Sequence, residues 1–189
     1  SLSDLLSNHL CGPAIPLVLS FNSFDSRNLG LGTGWSLRMS AYSRTTQKLS
    51  LSSGASYQAY ANGRDVTLLD KKLDTFNVSV VDDKWIIQHK DGTVEELVRP
   101  DPDDDQWLPA RIYSADGRHV SFSYDIVQGH RVLRELSDAH HRLLKIDYES
   151  DNNWDSSPGI TLWPDNPHHR RKFGFVIRDS WLSQIYMGS

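Results

Sequence analysis

Cysteine is almost absent: Cys11 is the only one in 189 residues. An internal disulfide is therefore excluded. Cys11 stands beside Gly12-Pro13 and reads as a small packed residue. Long apolar runs are absent too; no stretch approaches the ~18 residues of a membrane-crossing helix. A basic excess is missing. Lys and Arg number 20 against 24 Asp and Glu, for a net charge of −4, so general nucleic-acid binding has no electrostatic support. The densest basic group, His168 to Lys172, is too short to line a groove. Helical periodicity is scarce. The nearest approach, Leu133 to Ile146, is interrupted by Ser137-Asp138. There is no initiator Met, signal peptide or transit peptide, and the sequence is expected to be a piece of a longer polypeptide.

What is present is alternation and turn chemistry. Ile15, Leu17, Leu19 and Phe21 share one parity; so do Trp35, Leu37 and Met39, and Trp85, Ile87 and His89. Asn62-Gly63, Asp91-Gly92 and Asp116-Gly117 are pairs suited to two-residue hairpin turns, and Asp82-Asp83 is a weaker signal. Short strands punctuated this way predict an all-β protein of antiparallel hairpins in an extended curved sheet. The length suffices for one domain or two small ones, burying ~70% of the unfolded surface. The stretch "RPDPDDDQ", 99–106, cannot be a central strand and marks a boundary. The division expected is a β region over 1–99 and hairpin repeats over 100–189, in one continuous sheet. "DPDDD" lacks the glycine of a calcium loop and reads as a solvated acidic loop. Residues 149–159 read as an exposed loop.

The hairpin "IYSADGRHVSFSYD", 112–125, recurs. Shifted by 24 positions, Ile112 falls on Leu136, Arg118 on Arg142, Val120 on Leu144, Phe122 on Ile146, Tyr124 on Tyr148 and Asp125 on Glu149. His140-His141 then replaces the turn pair Asp116-Gly117. A fainter copy runs over 168–179, with Arg171, Phe173, Phe175 and Ile177. Self-similarity of this kind signals an array in which each unit buries its neighbour's face. Arg118, Val120, Phe122 and Tyr124 share one strand face, so stacking would bring arginines over tyrosines and tyrosine to tyrosine. Asp125 is placed to accept from an arginine. The opposite face, with His119, Ser121, Ser123, Lys145 and Asp147, reads as wet.

At these residues the sequence resembles the RHS/YD-repeat proteins of bacteria. "DGRHVSFSYD" fits their Gly-Arg…Tyr-Asp hairpin unit, through Asp116, Gly117, Arg118, Phe122, Tyr124 and Asp125; Arg142, Ile146 and Tyr148 carry the second, partial copy. The segment 11–42 is similar to the region preceding the repeats in such proteins. Its glycine motif here is Gly30, Gly32, Gly34 and Trp35. The subgroup it most resembles is the RHS-like component of insecticidal toxin complexes and polymorphic toxins. The resemblance implies a β-ribbon that spirals into a shell around a C-terminal effector, with no enzymatic activity and no cofactor in this section. It also implies a secreted or delivered toxin component. The expected partners are further repeats and the effector of the same polypeptide, with other toxin subunits. No nucleic acid and no membrane span are expected. Exposed strand edges would make the chain self-associate.

Competing motifs are weaker. "GLGTGW" lacks the helix and second half of a dinucleotide-binding unit and reads as a bend into a strand. His140-His141 and His168-His169 offer too few converging ligands for zinc. Six tryptophans raise a second reading, a sheet that stacks on cell-surface glycan through Trp85, Trp107, Trp154 and Trp163. Core packing is the favoured use of such large rings.

Overall fold

The computed structural model describes residues 18–21, 35–72, 74–148, 158–178 and 181–188. Gly30, Gly32, Gly34, Cys11, Glu149 and Trp154 lie outside them. Every regular element among the described residues is a β-strand, so none is a helix long and apolar enough to cross a membrane. The all-β, antiparallel expectation holds. The chain divides into two compact units, Arg38–Ser121 in one and Val18–Leu37 with Phe122–Ser189 in the other. Strands β1 (Val18–Phe21) and β2 (Trp35–Arg38) pair with each other. Trp35 of the glycine motif opens β2.

In the first unit the curvature of the sheet goes all the way to closure. Eight strands follow one another: β3 (Ala41–Ser43), β4 (Lys48–Ser50), β5 (Ser56–Asn62), β6 (Asp65–Leu68), β7 (Phe76–Val81), β8 (Lys84–His89), β9 (Val94–Val98) and β10 (Gln106–Tyr113). Each pairs antiparallel with the next, and β10 returns to β3. Eight strands leave an interior that side chains can fill. Tyr42, Leu49, Ala59, Phe76, Trp85, Ile87, Leu97 and Trp107 fill it, backed by Tyr57, Val66, Leu68, Val78 and Val80. These are the inward parities of their strands. The Tyr42 and Trp85 rings stack with centroids 3.7 Å apart, and Trp107 lies 5.5 Å from Tyr42.

The turns follow the strand twist, though not always where the residue pairs suggest. Asp82 and Asp83 both have positive φ between paired Val81 and Lys84, the two-residue geometry reserved in the sequence for the Asn-Gly and Asp-Gly pairs. Gln128-Gly129 does the same before His130. Asp91-Gly92 and Asp116-Gly117 belong instead to three-residue loops. Only the glycine has positive φ, and its N–H donates back to His89 O or Ser114 O. In Asn62-Gly63 the loop is Gly63-Arg64, because Asn62 pairs with Asp65.

The closing seam is short. Only Gln106 with Ser43 and Trp107 with Tyr42 join β10 to β3 before β10 shifts register beside Pro109 and continues along β9. The acidic loop reinforces it. Asp105, at its end, accepts from Ser43 Oγ (2.6 Å), Thr45 N (2.7 Å) and Thr45 Oγ1 (2.5 Å), while Arg44 N donates to Asp105 O (3.0 Å). These bonds hold the Asp105 carboxyl below its ordinary pKa. Asp105→Ala is expected to cost about 1–2 kcal/mol, read as a lower urea midpoint; an unchanged midpoint would remove the clamp.

The second unit is a ladder of hairpins. It contains the end of β11 (His119–Val127), then β12 (His130–Ser137), β13 (Arg142–Asp147), β14 (Gly159–Leu162), β15 (Arg171–Arg178) and β16 (Trp181–Gly188). The repeat is visible in the pairing. Ile112 faces Val120 at the end of the first unit, and in the second Leu136 faces Leu144 and Ile160 faces Phe173. Ile112, Leu136 and Ile160 keep the 24-residue spacing, and the extra length of the third copy falls in its turn, 163–170. Val120, Phe122, Leu144, Ile146, Ile160 and Phe175 are buried. The face expected to be wet is only partly so. Leu143 and Thr161 are buried on it, while Lys145 and Asp147 pair at 3.7 Å in partial exposure.

Candidate functional site

Two arrangements of polar and aromatic groups stand out, one in each unit. In the hairpin ladder, Tyr148 is buried and its hydroxyl donates to Leu133 O. Tyr124, one copy earlier, has its phenol pushed well above the ordinary pKa by burial and by its neighbour Tyr148. The two motif tyrosines are thus close enough to interact electrostatically. A guanidinium over a tyrosine is present as well, but it is Arg134's, 5.3 Å from the Tyr148 centroid. Arg134 also donates to Ile146 O (2.9 Å) and pairs with Asp125 at 3.5 Å. Asp125 is thus ion-paired with an arginine.

The motif arginines serve the turns. Arg118 is exposed, and its Nε donates to Asp116 Oδ2 (2.6 Å) within its own loop. That contact, with Ser114 Oγ on the other oxygen, holds the Asp116 carboxyl far below its usual range. Arg142 reaches forward to the next turn, where its Nε meets Asp165 Oδ2 (2.8 Å) and its Nη2 meets Asp165 Oδ1. The correction to the sequence reading has a simple cause. Each motif Arg is the first residue after its turn, so its long side chain finds turn carboxylates before it finds the buried tyrosine at the far end of the strand.

In the barrel, Glu95 is the only charged residue buried among those described. It shares the inward parity of Leu97. Ser40 Oγ donates to Glu95 Oε1 (2.8 Å) and itself accepts from Ser52 N (3.1 Å). His89 Nε2 lies 2.7 Å from Glu95 Oε2; a carboxylate only accepts, so this nitrogen carries the proton. Bonding to Glu95 raises the His89 pKa, against the opposing effect of burial. The carboxylate sits between serine and histidine, the reverse of the order that activates a serine. The cluster gives a buried carboxylate its hydrogen bonds and ties four segments of the barrel together.

Other expected residues fall out as follows. Phe122, Ile146 and Tyr148 are core, and Gly117 takes φ +84° in its loop. His140 and His141 lie in a turn, where both backbone N–H groups donate to Asp138 Oδ1 (2.8 and 2.7 Å). Trp85 and Trp107 are buried in the barrel, so neither offers a face to a sugar ring. Trp107 Nε1 donates to Asp83 O (2.8 Å), and Arg99 covers its ring at 4.5 Å. The sequence reading missed Glu95, Ser40 and Asp105. The signal for Glu95 was present: in Val94-Glu95-Glu96-Leu97 adjacent residues point to opposite faces, so one glutamate must share the face of Leu97.

No protein-family model matches the sequence, and no curated protein matches it. Solved structures do. The N-terminal domain of effector protein SpvB from Salmonella typhimurium strain LT2 superposes with a TM-score of 0.62 at 13% identity, over 95% of this chain and 95% of that one. A chain of the Photorhabdus luminescens Tc holotoxin pore gives 0.56 at 14% identity, over 92% of this chain and 14% of that one. The fold is shared with both; the chain spans only a small part of the second.

Proposed function

We propose that this chain is a non-catalytic section of the β-shell of a bacterial toxin protein of the RHS/YD-repeat type, in which the shell encloses a C-terminal effector. One observation carries the reading: successive hairpins repeat the same cross-strand pair, Ile112–Val120, Leu136–Leu144 and Ile160–Phe173. A ladder that buries each unit against the next is suited to building a wall of any length. The shared fold with a domain of an effector protein and with part of a holotoxin pore supports a toxin setting. Its partners would be further hairpins of the same polypeptide, the effector and other toxin subunits. It would act where such toxins do, outside the producing cell. The buried positions of Trp85 and Trp107 weigh against the glycan-binding alternative.

The test is protease protection of the polypeptide encoded by the whole gene. The segment following the repeats should resist cleavage while the shell is folded and become sensitive when it is denatured. Cleavage of that segment at the rate of the isolated segment would overturn the encapsulating role.

A further inference from the structure

The barrel has a second short seam. Strands β6 and β7 are joined by one residue pair, Asp65 with Ser79, beside which Val80 N donates to Arg64 O (3.0 Å). Continued in that register, Val66 would face Val78 and Leu68 would face Phe76, but neither is paired. Both strands are held firmly on their other sides. β6 pairs with β5 along its whole length, and β7 does the same with β8. Leu69 N extends the first ladder to Gln58 O (3.0 Å) and Lys90 N extends the second to Thr75 O (2.9 Å). A side chain stands where the β6–β7 ladder stops. In a continued ladder the Phe76 carbonyl would accept from Leu68 N; it accepts instead from Lys71 Nζ. Asp70, at φ +59°, turns the chain after β6. The Lys71 ammonium then lies 4.5 Å from the Phe76 ring centre and 3.6 Å from Asp74 Oδ1. Its side chain is only 19% exposed, low for a lysine.

We propose that the β6–β7 seam is a lateral opening of the barrel, latched by Lys71. The halves β3–β6 and β7–β10 are each paired from strand to strand without a break. They part along β6–β7, while the β10–β3 seam stays closed and serves as the hinge. The two seams differ in strength. β10–β3 has two residue pairs, and Asp105 clamps it with three carboxylate bonds. β6–β7 has one residue pair and a single ammonium, which holds a ladder carbonyl and covers a ring at once. Opening separates the Phe76 ring from Tyr57, 5.6 Å away across the seam, and uncovers Val66 and Val78, which are only partly buried when it is closed. The loss of those contacts keeps the open form a minority state. Lys71 sets how small a minority, because its bond to Phe76 exists only in the closed form. The inference does not depend on the encapsulating role.

The experiment is amide hydrogen exchange, read by NMR, on the 189-residue chain carrying Cys11→Ser. Val80 N–H reports the seam. Ala59 N–H, bonded to Gln47 O (2.8 Å), and His89 N–H, bonded to Thr93 O (2.9 Å), report the two halves. Val80 should be at least about tenfold less protected than either. Lys71→Met keeps the apolar stem and removes the donor. It should lower the protection of Val80 about a further tenfold and leave Ala59 and His89 unchanged. The bond from Val80 N to Arg64 O makes Asp65 and Ser79 a non-hydrogen-bonded pair, whose close Cα atoms suit a disulfide. The oxidised double variant Asp65→Cys, Ser79→Cys should raise the protection of Val80 to that of Ala59, and reductant should reverse the gain. Three results would each overturn the proposal: Val80 as protected as Ala59 and His89 in the parent chain, all three falling alike in Lys71→Met, or a formed disulfide that leaves Val80 exchanging fast.

Discussion

Trp85→Ala is expected to destabilise the first unit by about 3–5 kcal/mol, a large share of the ~5–15 kcal/mol available to a domain. Trp85 is 3% exposed and stacks on Tyr42 at 3.7 Å. Tyr42 is also the β3 residue paired with Trp107 at the seam that closes the barrel. Removing the indole thus opens a cavity and unseats the ring that forms one of the two residue pairs closing the barrel. Trp85→Phe should cost less, because a ring remains against Tyr42. The measurement is the urea midpoint with the near-ultraviolet circular dichroism of the stacked rings. A Trp85→Ala chain with wild-type midpoint and spectrum would contradict the core role, and it is the outcome a sugar-stacking tryptophan would give.

The repeat was legible because hairpin ladders write their geometry into parity and spacing. Ile112, Leu136 and Ile160 recur at 24 residues and occupy the same cross-strand position. Closure of the first unit was not legible. It depends on β10 meeting β3 across some sixty residues through two residue pairs, and alternation says which face is buried but not which strand lies beside which. The turns split along similar lines. A glycine marks where φ must be positive, but loop length is set by the register of the flanking strands, so Asp116-Gly117 closes a three-residue loop while Asp82-Asp83 closes the two-residue one. The arginine roles were misplaced for a further reason. A parity argument fixes a side chain's face but not its reach, and Arg134, on the strand beside the tyrosine, was nearer to it than any motif Arg.

His89→Ala should destabilise the barrel by about 2–4 kcal/mol, since it leaves the buried Glu95 carboxylate with Ser40 as its remaining named donor. Glu95→Gln, which keeps a hydrogen-bonding side chain and removes the charge, should cost less. The pair also sets a direction for pH. The folded-state pKa of His89 is raised, so the protonated form is stabilised by folding. That contribution is complete below the unfolded value of about 6.5 and is lost as pH rises through the folded value. Asp91 and Asp105 have lowered values, and their contribution is present above about 3.9 and fades as pH falls through the folded values. The wild-type barrel is therefore expected to be most stable in a mildly acidic window and to lose stability as pH rises from about 6.5 through the raised folded value of His89. His89→Gln should flatten this alkaline limb and leave the part of the acid limb that comes from Asp105 unchanged. Urea midpoints of both chains across that range decide it: a wild-type limb no steeper than that of His89→Gln would show that Glu95 and His89 are not coupled in the folded barrel.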